Sequence, residues 1–236
     1  MVVLFMVSMI LVCLIADYFV QRRQARLAGV LSTEQKPHAP LPVTGNQPDF
    51  YLPEGVFVSL GHLWNVLLPS GKFKIGVDQF VTKTLGPVDN ITIAQVGRKI
   101  EKGDTLFTIS QGDKVLNFKS PASGVIENIN QELVDNPGHL GAGSFNKTWA
   151  LEIKPQNIKQ HIGSLYIADK ARDWMKSEIN RLREFLNQVA TLPQVAPTAL
   201  DGGLPTENIM NKMDKDVWNK FEREFLTQSD LPEEGS

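Results

Sequence analysis

Residues 102–124, KGDTLFTISQGDKVLNFKSPASG, decide the fold. Two runs rich in apolar and β-branched residues, Thr105-Leu106-Phe107-Thr108-Ile109 and Val115-Leu116-Asn117-Phe118, flank Gly112 and Asp113, and Gly124-Val125-Ile126 follows the Pro121 break. Short apolar runs bounded by Gly, Pro, Asn and Asp are the signature of strands. Outward from this stretch the same texture holds from about Tyr51 to Pro155. It includes Gly55-Val56-Phe57-Val58, Lys72-Phe73-Lys74-Ile75, Asn90-Ile91-Thr92-Ile93 and Trp149-Ala150-Leu151-Glu152-Ile153. Many short strands at near-regular spacing predict a β-sandwich or barrel. Asp78 to Leu85 is the exception, a short helix with Asp78 as N-cap and Gly86-Pro87 as its stop.

Beyond Pro155 the period changes to three and four. Ile167, Ala171, Trp174, Met175, Ile179, Leu182, Phe185 and Leu186 share one stripe and predict a long amphipathic helix that closes a domain spanning 51–190. Residues 191–205, TLPQVAPTALDGGLP, have the composition of a linker. A second amphipathic helix is expected over 206–228, with a tail at 229–236. Ile209, Met213, Val217, Phe221 and Phe225 form its stripe, widened by Met210 and Trp218. An apolar face on a detached helix must be buried on its own domain or on another protein. Ile209, Met213, Val217, Trp218, Phe221 and Phe225 are therefore the candidate partner-binding residues.

The chain begins differently. Met1 to Ala16 carries no charge, and apolar character resumes at Tyr18 after a single Asp17. Twenty residues at about 1.5 Å each match the roughly 30 Å of a bilayer core, so 1–21 is expected to be a transmembrane anchor. Arg22, Arg23 and Arg26 follow the apolar run, whereas a cleaved signal peptide carries its basic residues before it. The positive-inside rule then puts the main domain on the cytoplasmic side of a bacterial inner membrane, in a single-pass protein. Residues 22–50 contain Pro37, Pro40 and Pro42 among polar residues and form a flexible tether.

Composition removes several function classes. Among 236 residues, 24 Lys and Arg oppose 26 Asp and Glu, a net charge of −2, which offers no basic field for a nucleic-acid backbone. The single cysteine, Cys13, cannot form an internal disulfide or a cysteine-rich zinc site. His38, His62, His139 and His161 are scattered without a metal-ligand spacing, so no metal is expected. His62 and Trp64 are taken as strand residues near the domain start. Gly138 to Gly143 is taken as a solvated loop, because no strand-to-helix phosphate cradle surrounds it. With no nucleophile elbow, Ser-His-Asp signature or P-loop, the chain is not expected to be an enzyme, and no catalytic residue is assigned.

Over residues 51–175 the β segment resembles the H-protein of the glycine cleavage system. The matching stretches are Gly61-His62-Leu63-Trp64, Lys74 to Phe80, Leu85-Gly86, Val96-Gly97, Lys102-Gly103-Asp104, Ser120-Pro121-Ala122-Ser123-Gly124, Glu132 to Pro137, and Trp149. The resemblance implies a lipoyl/biotinyl-like flattened β-barrel, mainly β, whose hairpin tip carries a lipoylated lysine. That lysine would stand eleven residues after Lys102 and eleven before Gly124, and both anchors meet at Asp113. The family's Glu-Ser-Val-Lys-Ala becomes Ser110-Gln111-Gly112-Asp113-Lys114, and its Leu-Pro before Val-Gly becomes Ala94-Gln95.

A carboxylate cannot form the amide to lipoic acid. Two readings follow. In one, the domain has lost the prosthetic group, expects no cofactor, and serves as a docking or assembly subunit of a membrane complex. In the other, Gln111-Gly112 reshapes the turn so that Lys114 carries lipoate and the protein is a carrier of the glycine cleavage type. A third possibility is a periplasmic adaptor with a lipoyl-like domain. Such adaptors split that domain with a helical hairpin and place their basic residues before the span, and neither feature occurs here. An ordinary H-protein lacks the anchor, a helix of this length (Leu165–Asn187) after the β segment, and the final helix; these additions suit attachment to a membrane complex. The partners expected are thus the bilayer, through 1–21, and a membrane-bound protein, with no nucleic acid.

Overall fold

The computed structural model describes residues 52–141, 147–190 and 208–227. The expected anchor, tether, linker and tail lie outside the described residues. Among the described residues no helix is long and apolar enough to cross a membrane.

The fold is mainly β, built from two antiparallel sheets, and its helices gather toward the C-terminal end. The strands are β1 (Val56–Val58), β2 (Leu63–Leu67), β3 (Phe73–Val77), β4 (Asn90–Ile93), β5 (Lys99–Ile100), β6 (Thr105–Gln111), β7 (Lys114–Lys119), β8 (Gly124–Ile129), β9 (Trp149–Pro155) and β10 (Tyr166–Ile167). One sheet has the order β10-β1-β2-β3-β9-β8-β5 and the other β4-β6-β7. Phe73, Ile75, Phe107, Ile109, Leu116, Phe118, Ile126, Leu151 and Ile153 alternate inward from both sheets and form one buried core. Two glycines of the quoted motifs have a steric reason. A Cβ on Gly76 would meet Thr148 O at 2.6 Å and the ring of Trp64, and one on Gly124 would meet Lys154 O and Ile153.

Helix α1 (Gln79–Leu85) has the two stops the sequence predicts. The carboxylate of Asp78 accepts from Val81 N at 3.1 Å, and Gly86, at φ +77°, donates to Thr82 O at 3.1 Å. Short helices α2 (Gln131–Asp135) and α3 (Ile158–Gly163) follow, and α4 (Ala168–Ala190) is the long amphipathic helix, burying Ala171, Met175, Ile179, Leu182, Phe185, Leu186 and Val189. The glycine-rich run expected to be a solvated loop starts instead as a 3-10 turn, Pro137–Gly141, because Leu140 has core to fill and is buried. His62 is not a strand residue. It lies in the turn before β2 at φ +58°.

The C-terminal segment departs most from expectation. Its described part is not one continuous helix but a 3-10 turn (Ile209–Lys212), helix α5 (Lys215–Phe221) and a π-helical turn (Glu222–Leu226). The break falls at Met213 and Asp214, both extended, because Asp214 caps α5 by accepting from Val217 N at 2.9 Å. The candidate partner-binding face is turned onto its own domain. Met213, Val217, Trp218, Phe221 and Phe225 are buried and Ile209 is partly buried in the core shared with α1 and α4. Phe221 and Phe225 stack on each other at 4.9 Å, and Phe225 lies 5.6 Å from both Phe80 and Phe185. Burying these rings on a neighbouring surface of the same chain avoids the association entropy that a partner would cost.

Candidate functional site

The β6–β7 hairpin presents the tip. Gln111 pairs with Lys114 across a two-residue turn made by Gly112 and Asp113. Gly112 has φ +60° and Asp113 does not have positive φ, the sign pattern of a II′ turn, which places glycine first. The tip is tied to the loop after α1: Gly112 N donates to the Asp89 carboxylate at 2.7 Å, and Gln111 Nε2 donates to Pro87 O. Asp113 is exposed at the turn.

Lys114, the first residue of β7, is half-buried. Its Nζ donates to Asn211 O at 3.0 Å and Met213 O at 3.2 Å, and it lies 4.9 Å from the centre of the Trp218 ring. Trp218 is itself fixed, since its Nε1 donates to Met210 O at 2.7 Å. Farther along β7, Asn117 Nδ2 donates to Glu222 Oε1 at 2.9 Å. The two residues the sequence singled out thus have separate fates. Asp113 faces solvent as a carboxylate, and Lys114 is bound to the C-terminal segment.

Lipoate is held by an amide to a lysine amine. The exposed tip residue does not fit that group, because Asp113 offers a carboxylate where an amine is needed. The amine of Lys114 is engaged by two carbonyls and a ring. Among the described residues no cluster of three or more His, Cys, Asp or Glu could hold a metal ion.

A second polar cluster lies below the surface, and sequence reading missed it. His62 is wholly buried, with Nδ1 at 2.8 Å from Asp78 and Nε2 at 3.4 Å from Glu178, the latter an ion-pair distance rather than a hydrogen bond. The ring stacks on Phe80 at 4.1 Å and lies 4.9 Å from Trp174. Burial by itself pulls the imidazole pKa down. The charges of Asp78 and Glu178, together with the hydrogen bond between Nδ1 and Asp78, outweigh that and raise it to about 9. Burial likewise raises the carboxyl pKa of Glu178, but His62 and Arg181 together hold it below its ordinary value. Arg181 grips both Glu178 oxygens, at 2.6 and 2.8 Å, and also donates to Glu224 O at 2.8 Å. The cluster therefore joins the turn before β2, the N-terminus of α1, helix α4 and the C-terminal segment. Enclosed by aromatic rings, it is a structural tie. The i, i+3 pair Glu178 and Arg181 was the only sequence signal for it.

The family sequence model described as glycine cleavage H-protein matches residues 59–178. The chain belongs to the glycine cleavage H-protein family. Relatives include the "Probable glycine cleavage system H protein" of Pyrococcus horikoshii, 26% identical over 129 residues that make up 55% of this chain and 96% of the relative. The glycine cleavage system H protein of Halalkalibacterium halodurans is also 26% identical, over 127 residues, 54% of this chain and 98% of the relative. Among solved structures, the glycine cleavage system H protein of Mycobacterium marinum aligns at 21% identity with a TM-score of 0.44, covering 50% of this chain and 93% of that one. The H-protein match stops within α4, so the capping segment that holds Lys114 lies beyond it.

Proposed function

We propose that this chain is a non-lipoylated, H-protein-like docking or assembly subunit of a membrane-associated complex, with no catalysis of its own. One observation carries the reading: the exposed residue of the hairpin tip, where the family resemblance puts the modified lysine, is Asp113. The relatives' names connect them with the glycine cleavage system, and the partner proposed here is a protein that recognises the same type of domain while held at the membrane. Anchoring rests on the uncharged stretch Met1 to Ala16 and on Arg22, Arg23 and Arg26 behind it, which favour a bacterial inner-membrane location with the domain in the cytoplasm. Because the apolar face of the C-terminal segment is used internally, the surface left for docking is the region of the tip, where Asp89, Gly112, Asp113 and Val115 are exposed.

Affinity purification of the full chain from detergent-solubilised native membranes tests the docking role. A membrane complex should co-purify, and Val115→Asp should weaken its recovery while the protein stays folded. Recovery of the protein alone, or recovery unchanged by V115D, would contradict docking through the tip. A reporter fused after Ser236 should be active in the cytoplasm; activity on the periplasmic side would favour the adaptor reading instead.

A further inference from the structure

The three-stranded sheet ends at β7, which pairs with β6 on one side only. An edge of this kind offers unpaired backbone groups to another chain unless it is covered. Here it is covered. Residues 208–227 meet β7 at its first residue through Lys114 and at its middle through Asn117 and Glu222. The segment is held from outside the sheet as well, by Asn208 N donating to Lys83 O at 2.7 Å and by Arg181 donating to Glu224 O. Lys114 Nζ is contacted by the Asn211 and Met213 carbonyls and by the ring of Trp218.

Resting on the unmodified-tip reading above, we propose that residues 208–227 are a built-in shield that withholds Lys114 from acyl donors. Acylation of a lysine requires its neutral Nζ to attack an activated acyl carbon. The new N–C bond forms, the leaving group departs with its electron pair, and the nitrogen's extra proton passes to water. With Nζ donating to two carbonyls, it must give up these bonds before it can attack an acyl carbon, which slows acylation until the segment lifts. The same contacts keep the amine next to the tip from serving in place of the missing lysine at 113.

Time-resolved acetylation of the full-length, unmodified protein by an N-hydroxysuccinimide ester of acetic acid, mapped lysine by lysine by mass spectrometry, tests this. Lys154 and Lys159 are exposed and serve as references. Lys119 is on the same strand, bonded to Thr105 Oγ1 and away from the shield's contacts, and reports on the integrity of the sheet. Two hydrogen bonds from a charged donor should slow Lys114 by about tenfold or more relative to the references. Asn208 sits at φ +65° and uses its N–H, so Asn208→Pro, which fixes φ negative and removes the donor, should displace the start of the segment. Asn208→Gly keeps both features and should leave Lys114 slow. N208P, or W218L as a second route to loosening, should speed Lys114 selectively while Lys119 stays slow. Lys114 reacting at the rate of Lys159 in the intact chain, or remaining slow in both N208P and W218L, would overturn the shield. The unmodified-tip reading fails separately. Lipoate on a lysine other than Lys114 of the native protein would end that reading and leave the shield standing, whereas lipoate on Lys114 itself would end both. An unlipoylated native chain whose Lys114 labels as fast as Lys159 would overturn the shield alone.

Discussion

At the exposed tip of the β6–β7 hairpin, where the family resemblance puts a modified lysine, this chain carries Asp113. Asp113 is exposed in the turn and its φ is not positive, so a lysine fits there without backbone strain. Asp113→Lys should therefore acquire lipoate when produced in cells with an active lipoyl-attachment pathway, read as a mass increment on residue 113, while the parent chain gains none. If D113K stays unmodified, the tip has lost more than its amine.

At the same scale, His62 predicts a pH dependence of stability. Its folded pKa of about 9 lies above its ordinary value of 6.5, so its contribution is complete below pH 6.5 and is lost as pH rises through 9. The shift corresponds to about 3 kcal/mol for a wholly buried group. His161 acts on the other side. Burial lowers its pKa to about 4, so the unfolded chain takes up a proton below pH 6.5 that the folded chain refuses, and stability falls as pH drops from 6.5 toward 4. Denaturant unfolding across this range should give a maximum near pH 6.5. Replacing His62 by Gln should flatten the alkaline limb and lower overall stability, because Asp78 and Glu178 would then be buried without their cation. A flat profile from pH 6.5 to 9 in the parent protein would contradict the charge assignment.

At the scale of elements, the C-terminal segment is part of the core rather than an arm held out for a partner. Phe221 is fully buried among Phe80, Phe185 and Phe225. Phe221→Ala should cost about 3–5 kcal/mol of unfolding free energy, measured by denaturant titration. A loss under about 1 kcal/mol, the scale of an uncritical surface change, would mean that the segment does not stay docked.

The contrast between α1 and this segment shows what the sequence makes legible. Asp78 and Gly86 act within one turn of the chain they terminate, so α1 is readable from local chemistry. Asp214 is the same signal, an acidic N-cap, but it lies inside a stripe of apolar residues whose periodicity hides the break. The binding of Lys114 to carbonyls about a hundred residues later, and of His62 to Asp78 and Glu178, arises only when distant segments meet, and no spacing rule anticipates it. Asp113 was legible because two motifs flank it at fixed distances, and the two-residue turn between β6 and β7 places it at the tip.

For the molecule as a whole, the described residues form an H-protein-type domain with its own C-terminal segment folded over one sheet edge. The tip displays a carboxylate, the neighbouring amine is held by that segment, and the apolar stripe that could have recruited a partner is buried. Together with the apolar N-terminal stretch, these features fit a domain retained for its recognised shape at a membrane rather than for a swinging arm. Intact-mass measurement of the protein isolated from its native membranes tests this most directly. The expected result is the mass of the unmodified chain; a lipoyl increment that peptide mapping places on Lys114 would contradict the unmodified tip.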